Sequence, residues 1–253
     1  ESYVLWNWMM EATGSGSSNT DGSINTISTL VDTTLGMSIS TYTGDGNTAT
    51  VGHGLGVTPD FVVTKVIDTS AQGGYGTFPK LMTENYNLYI NAAGNQDAGN
   101  AYDTSENSST VVGLTGASNG TNGSGRKYVM YAFATSQFIS IGKYINNNNA
   151  NGPFVPTINS LGIPLQPVWV MAKTLAGASW VIVDNKRIGY NPDNYNLLAD
   201  TTVVENTADK IDIVTGGFKL RTNLDPNYST STTLYMAIGT PIIDVDGRII
   251  AGR

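Results

Sequence analysis

The sequence predicts an all-β protein made of two tandem antiparallel β-sandwich domains, jelly-roll-like and related by internal duplication. Helical periodicity is nearly absent, and short runs of β-branched and aromatic residues alternate with Gly, Asn, Asp and Pro clusters about every ten residues. A tetrapeptide also occurs twice: Asn85-Tyr86-Asn87-Leu88 returns 109 positions later as Asn194-Tyr195-Asn196-Leu197. A period near about a hundred residues is too long for a solenoid and indicates two copies of a small globular unit.

Further matches occur in the same order on both sides of this pair. Before the tetrapeptides, the aligned segments are Ile39 to Tyr42 with Ile141 to Tyr144, Leu55-Gly56 with Leu161-Gly162, and Pro59 and Lys65 with Pro167 and Lys173. After the tetrapeptides, Tyr131 to Thr135 aligns with Met236 to Thr240. Both copies keep six residues from Pro to Lys. The offsets drift by only a few residues, as small loop insertions would produce.

These matches divide the chain into four segments. Residues 1–35 form an N-terminal strand and a Gly/Ser/Thr-rich arm, 36–136 the first sandwich, 137–240 the second, and 241–253 a C-terminal hairpin tail. The tail has Asp246-Gly247 between two β-branched runs, which is a strong two-residue hairpin signal. Residues 12–32, rich in Gly, Ser, Thr and Asn, read as a linker or extended arm, and 91–107 and 118–125 as long surface loops.

The apolar runs predict the strands. In the first part of the chain they are Tyr3 to Met10, Met37 to Tyr42, Phe61 to Ile67, Tyr86 to Ile90, Thr110 to Leu114 and Tyr128 to Ala134; in the second they are Phe138 to Tyr144, Val168 to Lys173, Trp180 to Asp184, Tyr195 to Ala199, Lys210 to Val214, Phe218 to Thr222 and Thr233 to Ile238. Within Tyr128 to Ala134 both alternating faces are apolar, which indicates a central strand rather than an exposed edge.

The first predicted strand, Tyr3 to Met10, has no partner within the duplication. It aligns on Tyr128 to Ala134, so it reads as the last strand of a further, preceding copy. A strand this apolar is not expected to stay unpaired in water. Either it completes a sheet in this chain or it pairs with another chain, and the second alternative predicts a homo-oligomer, such as a trimer.

Composition excludes several function classes. Charged residues make up 13% of the chain and the net charge is -7, which argues against nucleic-acid partners and against anionic membranes, because both need a basic face. No run approaches the ~20 apolar residues of a membrane-spanning helix, so no membrane insertion is expected. The chain has no cysteine, which removes disulfides, thiolate metal sites and a cysteine nucleophile.

His53, the only histidine, is the first candidate for chemistry. A general base needs a positioned partner, and a zinc site needs three or four ligands. The second copy has Ile158-Asn159-Ser160-Leu161-Gly162 in this region and no histidine, and glycines flank His53. We therefore expect His53 to stabilise a turn through local hydrogen bonds, with the glycines adopting positive φ.

Carboxylates supply two weaker alternatives. Asp184 and Asp193, near Lys186, Arg187 and Tyr190, could form a glycosidase pair, but the first copy has no such pair, and carboxylates near turns usually form the turn. The segments Asp244 to Gly247 and Thr43 to Asn47 faintly resemble calcium loops but lack the twelve-residue pattern with its terminal Glu. No glycine-rich phosphate loop is present. We predict no catalytic, cofactor-binding or metal-binding residue.

Aromatic residues are the remaining candidates for a binding site, because their faces stack on sugars. Most lie within the predicted strands and read as core. Four tyrosines fall in predicted loops and are the surface-binding candidates: Tyr75, Tyr102, Tyr190 and Tyr228.

Several motifs together resemble a known but poorly characterised repeat family. They are Ser40-Thr41-Tyr42-Thr43-Gly44-Asp45-Gly46, the segment from His53 to Lys65, Gly152-Pro153-Phe154-Val155, the segment from Trp180 to Arg187, Tyr190-Asn191-Pro192, Asn196 to Asp200, and Gly217-Phe218-Lys219-Leu220-Arg221. The chain is similar in these motifs to virion proteins of tailed, particularly marine, bacteriophages, of tail-fibre or head-decoration type. The resemblance covers residues 36–240 and implies a structural protein on the particle surface, with no active site carried over.

The resulting prediction is a non-enzymatic bacteriophage virion surface protein, located on the extracellular particle. The leading prediction is a tail-fibre or adhesin module that contacts the host surface. A capsid decoration protein is the alternative. A glycan-binding module and a polysaccharide depolymerase are further alternatives. The expected partners are other virion proteins, copies of the chain itself and a cell-surface glycan.

Overall fold

Strands dominate the computed structural model, which describes residues 5–7, 9–10, 15–68, 74–116, 118–187, 191, 195–243 and 247. The strands are β1 (Ser28–Asp32), β2 (Met37–Thr43), β3 (Ala49–Gly52), β4 (Phe61–Val66), β5 (Gly74–Thr77), β6 (Leu88–Tyr89), β7 (Val111–Leu114), β8 (Lys127–Phe133), β9 (Ile139–Ile145), β10 (Phe154–Pro156), β11 (Leu165–Thr174), β12 (Val181–Asp184), β13 (Asn196–Leu198), β14 (Ile211–Val214), β15 (Gly217–Leu220) and β16 (Thr232–Pro241). One 3-10 turn, Thr104–Glu106, follows the Asp103 cap. The all-β prediction is confirmed.

The predicted strands correspond to observed strands from β2 onwards. Those built on Val, Ile, Tyr and Phe runs, such as β2, β8 and β16, lie within a few residues of their predicted bounds. Four strands were not predicted: β1, β3, β5 and β10. They are three to five residues long, and β5 reads Gly74-Tyr75-Gly76-Thr77, so they lack the apolar run that marks a strand in the sequence.

Two large antiparallel sheets form the centre of the protein. The first large sheet has the order β1-β2-β8-β4-β5-β6, and the second large sheet has the order β13-β12-β11-β16-β9. Two small sheets complete the fold: the first small sheet pairs β3 with β7, and the second has the order β10-β15-β14. We call β2 to β8 the first half and β9 to β16 the second half.

The two large sheets have matching strand orders. Laying β2 on β9, β8 on β16, β4 on β11, β5 on β12 and β6 on β13 reproduces the neighbours in each sheet, and β1 is an additional edge strand of the first. The registers agree as well, since β2 meets β8 with Met37 opposite Phe133 and β9 meets β16 with Ile139 opposite Ile238. Those partners are related by the offsets of 102 and 105 found in the sequence.

Three apolar cores lie between the sheets. The first, with Tyr42, Val51, Leu114 and Met130, fills the space between the first small and first large sheets. The third core does the same between the second large and second small sheets. The second core is the middle core: it joins the outer faces of the two large sheets, with Phe61, Phe133, Trp169 and Met236 among its buried residues. The layers therefore stack in the order small, large, large, small.

Strand β8 shows why both faces of the large sheets are apolar. Its residues Tyr128, Met130 and Ala132 belong to the first core, whereas Tyr131 and Phe133 pack on the middle core. Successive side chains on a strand point to opposite faces, so a strand between two cores needs no polar alternation. The prediction of a central strand here is confirmed.

The predicted arm is instead part of the first large sheet and its surroundings. Within the described residues of this segment, β1 pairs with β2, Ser17 bridges Thr29, and the buried Ile24 bridges Val51. The prediction of a linker or extended arm over 12–32 is corrected for 15–32 in one respect: edge pairing and burial of Ile24 hold this segment against its own chain, so it is not a linker. Small polar residues gave it a linker-like composition, but Thr26 and Thr29 are buried and hydrogen-bonded to each other.

The N-terminal segment differs from its prediction as well. Residues 5–7 and 9–10 belong to no strand, and Trp6 and Met10 pack against the middle core. The rest of the predicted strand Tyr3 to Met10 lies outside the described residues, as do Asp244 to Asp246 of the predicted hairpin. No helix within the described ranges is long and apolar enough to cross a membrane. The domain limits at 36, 136 and 240 stay a prediction.

Candidate functional site

A buried asparagine closes the same turn in both halves. In the first half, Asn122 Oδ1 accepts the Asp45 N–H (3.0 Å), and Asn122 Nδ2 donates to Asp45 Oδ1 (3.0 Å) and to the Asn47 carbonyl (2.5 Å). In the second half, Asn227 Oδ1 accepts the Asn147 N–H (3.1 Å), and Asn227 Nδ2 donates to Asn147 Oδ1 (2.9 Å) and to the Asn149 carbonyl (2.9 Å). The segment Thr43 to Asn47, which faintly resembles a calcium loop, is therefore a turn closed by Asn122.

Two more buried contacts recur. Tyr42 donates its hydroxyl to the Thr121 carbonyl (2.5 Å), and its aligned residue Tyr144 donates to the Pro226 carbonyl (3.3 Å). In the repeated tetrapeptide, Asn87 and Asn196 are both fully buried, and each forms an isolated antiparallel bridge, to Asp97 and Asn206 respectively. Asn194 of the second tetrapeptide lies outside the described residues.

His53 is buried and serves a turn. Its Nδ1 accepts the Leu55 N–H (3.1 Å), so Nε2 carries the proton and donates to the Ser108 carbonyl (3.3 Å). Burial lowers the pKa of His53, although the Ser108 carbonyl and Asp21 oppose the shift. Asn159 occupies the matching place, with its Oδ1 accepting the Leu161 N–H (2.9 Å). The local role predicted for His53 is confirmed, and Gly54 and Gly56 have positive φ.

Exchanging His53 for the residue of the second half tests this role. We expect His53→Ala to lower the free energy of unfolding by about 1–3 kcal/mol, because the buried Leu55 N–H loses its acceptor. His53→Asn is expected to recover most of that loss, since the amide oxygen can accept the same N–H as Asn159 does. Urea denaturation of both variants measures the difference, and an asparagine variant no more stable than the alanine variant would contradict the role.

The four tyrosines predicted to lie on the surface differ in burial and location. Tyr102 is fully buried in the first core and donates its hydroxyl to Thr64 Oγ1 (3.0 Å) and the Tyr75 carbonyl (2.8 Å), so its assignment to the surface is wrong. Tyr75 lies in β5 rather than a loop, half-buried, with its ring 4.9 Å from that of Tyr89. Tyr228 is 49% exposed. Tyr190 lies outside the described residues, and none of the other three lines the pocket described below.

The halves differ at one place in the middle core. In the first half Phe61, at the start of β4, stacks on Phe78 (centroids 4.2 Å), which follows β5 directly. At the matching positions of the second half stand Trp169 and Asp184, which face each other across β11 and β12. Where the first half buries a pair of stacked rings, the second half has one ring and one carboxylate.

A pocket of about 400 Å³ opens beside this pair. Trp6 and Trp169 form two of its walls, with ring centroids 6.3 Å apart and an interplanar angle of 70°. Ile238 contributes apolar surface, and Asn185 and Lys186, on the turn after β12, line it from the polar side. The volume falls in the range of about 300–1,000 Å³ that is usual for small-ligand sites.

Asp184 organises the polar wall of the pocket. Its Oδ1 accepts the backbone N–H groups of Lys186 (2.9 Å) and Arg187 (3.0 Å), and its Oδ2 accepts Trp6 Nε1 (3.1 Å) and Arg187 Nε (2.6 Å). Burial alone raises the pKa of Asp184, but the hydrogen bonds from Arg187, Lys186 and Trp6 outweigh it and hold the pKa below its usual range. Arg187 also pairs with Glu205 (2.5 Å).

This geometry makes Asp184 a fixed anion that orients its neighbours. A general acid must hold a proton near neutral pH, which requires a raised pKa. The four hydrogen bonds to Asp184 favour the charged form instead. Its predicted partner in a glycosidase pair, Asp193, lies outside the described residues. Among the described side chains, no three His, Cys, Asp or Glu residues are grouped so that they could hold a metal ion.

Sequence reasoning assigned Trp6 and Trp169 to strands and missed the pocket. The alignment of the two copies does not mark the site either, because its offsets of 108 at Lys65 and 109 at the tetrapeptides place Phe78 opposite Lys186 or Arg187. Only the register of β4 with β5 and of β11 with β12 makes Phe78 equivalent to Asp184. An aromatic residue replaced by a carboxylate within a core strand is a change that packing alone does not favour.

Comparison with known proteins identifies a family whose function is unknown. No curated protein and no solved structure matches the chain. Residues 1–240, and so both halves together, match the family described as a domain of unknown function, DUF7483, and the chain belongs to that family.

Proposed function

We propose that this protein is a non-enzymatic structural protein of the bacteriophage virion surface, most simply a tail-fibre or adhesin module that contacts the host. The motifs shared with virion proteins of tailed phages support the assignment. A stack of four β layers with three apolar cores also suits a particle that must stay folded outside the cell without disulfides. Other virion proteins and further copies of the chain are the proposed partners.

We also propose that the two halves are tandem jelly-roll-like modules derived by duplication. The matching strand orders of the large sheets support this, as does the recurrence of the asparagine-closed turn at Asn122 and Asn227. Independent origins are not expected to place the same buried donors on the same acceptors at offsets that agree with the sequence alignment.

One observation supports the adhesive role: the halves share several buried hydrogen bonds but differ at the pocket. The first half fills the site with Phe78, which is 1% exposed, whereas the second half leaves a cavity with Trp169 in its wall and Asp184 beside it. A core that only needs stability gains from the filled version, because a cavity costs free energy. An open, partly polar site is what a binding function requires.

The rival functions have less support in the geometry. A capsid decoration protein would bind the head through the extended arm or the C-terminal hairpin; residues 15–32 of the arm pack on their own chain, and Asp244 to Asp246 of the hairpin lie outside the described residues. A polysaccharide depolymerase needs an acid with a raised pKa, and the pKa of Asp184 is lowered.

Immuno-electron microscopy tests the proposed location. Antibodies against the purified protein would be applied to intact particles of a tailed phage that encodes it. Label at the tail in few copies supports the adhesin, and dense label over the head would replace it with the decoration role. Particles without label, at a dose that labels the purified protein, would exclude a virion surface protein.

A further inference from the structure

We propose that the pocket bounded by Trp6, Trp169, Asn185, Lys186 and Arg187 binds one acidic sugar unit, a pyranose that carries a carboxylate. The inference rests on the proposed adhesive function, because it names the chemistry of the surface to which the protein attaches.

The apolar walls favour a ligand with a hydrocarbon face. Trp6, Trp169 and Ile238 enclose one side of the cavity. The two indole rings are nearly perpendicular, so they form an angled apolar surface (an aromatic corner) rather than a narrow gap between parallel rings that would fit a flat ligand. A pyranose has C–H groups on its faces and hydroxyls at its rim, which matches an aromatic corner bordered by polar side chains.

Asn185 supplies an unused hydrogen-bonding group. Its backbone N–H donates to the Val168 carbonyl (3.0 Å), which fixes the residue on the turn after β12. Its Oδ1 is buried, and among the described residues it has no hydrogen-bond partner. A buried acceptor without a partner costs free energy, and a ligand hydroxyl would satisfy it.

The charges in the wall indicate the sign of the ligand. Of the charged groups that line the pocket, Asp184 is paired with Arg187 at 2.6 Å, and Arg187 is also paired with Glu205, which does not line the pocket. Lys186 is exposed on the pocket wall, and no ion pair is formed by it within the described part of the chain. In a protein of net charge -7, a cation at the mouth of an aromatic pocket favours an anionic ligand.

A cationic ligand is the less suitable occupant. Aromatic corners also bind ammonium groups, but here the guanidinium of Arg187 already lies over the Trp6 ring, 5.8 Å from its centroid. A second cation would meet both Arg187 and Lys186 at close range.

Saturation-transfer NMR with glucuronate and with glucose tests the proposal on the whole chain. We expect glucuronate to receive saturation and to bind more tightly than glucose, with an affinity that falls as salt is added. Lys186→Ala is expected to weaken glucuronate binding by about threefold, the size of one exposed charge pair, and to remove the preference over glucose. Trp6→Ala is expected to weaken both sugars roughly tenfold.

The first half provides the matched control. Lys80 lies two residues after Phe78, as Lys186 lies two residues after Asp184, so the strand registers place it at the matching position beside the filled site, and Lys80→Ala should leave both affinities unchanged. Circular dichroism confirms that each variant is folded. Absence of saturation transfer to glucuronate would overturn the proposal, and so would equal binding of both sugars that Lys186→Ala does not alter. Neither outcome affects the antibody label on particles, so failure of the pocket and failure of the virion role are distinguishable.

Discussion

Replacing Trp180 with alanine is expected to lower the free energy of unfolding by about 3–5 kcal/mol, the usual cost of deleting a fully buried large aromatic side chain. Trp180 precedes β12 in the second half, but its ring packs against Phe61 and Phe78 of the first half, at 6.2 and 6.5 Å between centroids. Its Nε1 donates to the Tyr89 carbonyl (2.9 Å), also in the first half. The substitution therefore removes both packing and a hydrogen bond from the middle core.

Two further variants separate these contributions. Trp180→Phe keeps a ring but leaves the Tyr89 carbonyl without its donor, so we expect an intermediate loss of about 1–3 kcal/mol. Trp6→Ala, a half-buried indole on the same core, is expected to cost less than Trp180→Ala because less of its surface leaves water on folding. Chemical denaturation followed by circular dichroism measures all three. A loss below about 1 kcal/mol for Trp180→Ala would mean that the halves do not depend on the middle core.

The strands predicted most closely from the sequence are those built on long apolar runs. β8 and β16 have apolar residues on both faces, and each lies between two cores, so local composition and tertiary environment agree. The unpredicted β5 contains two glycines and only four residues. It is held in the sheet by pairing with β4 and β6 on either side, and the composition of β5 alone does not contain that information.

The packing of one large sheet on the other could not be read from the sequence. The apolar outer faces predicted that something must cover them, but periodicity does not say which surface does so. The prediction that Tyr102 lies on the surface was wrong for a related reason. Tyr102 lies between turn residues, as a loop residue should, yet its ring fills the first core. A loop that folds over the end of a sandwich can contribute side chains to its interior.

Lys173 is a second residue whose burial could not be predicted from the sequence, and its titration is expected to have a large effect on stability. It aligns with Lys65, which is exposed in β4, whereas Lys173 is fully buried in β11. Its Nζ donates to the carbonyls of Gly94 (2.9 Å) and Ala178 and lies over the Trp180 ring. Sequence alignment alone assigns both lysines the same place on a strand, and only the packing of the halves distinguishes them.

Stability is expected to rise with pH through the titration of Lys173. Burial lowers its pKa from 10.5 to about 8, against the opposing effect of Asp200 and Asp225. Between these two values the unfolded chain binds more protons than the folded chain, so the free energy of unfolding increases as pH rises across the window. A shift of this size corresponds to about 3 kcal/mol. Urea denaturation of the wild type and of Lys173→Met from pH 7 to 11 should show the wild type gaining stability relative to the variant between about pH 8 and 10.5. Ionisation of tyrosines affects both proteins and cancels in the difference, so parallel pH profiles would mean that Lys173 is not desolvated in the folded state.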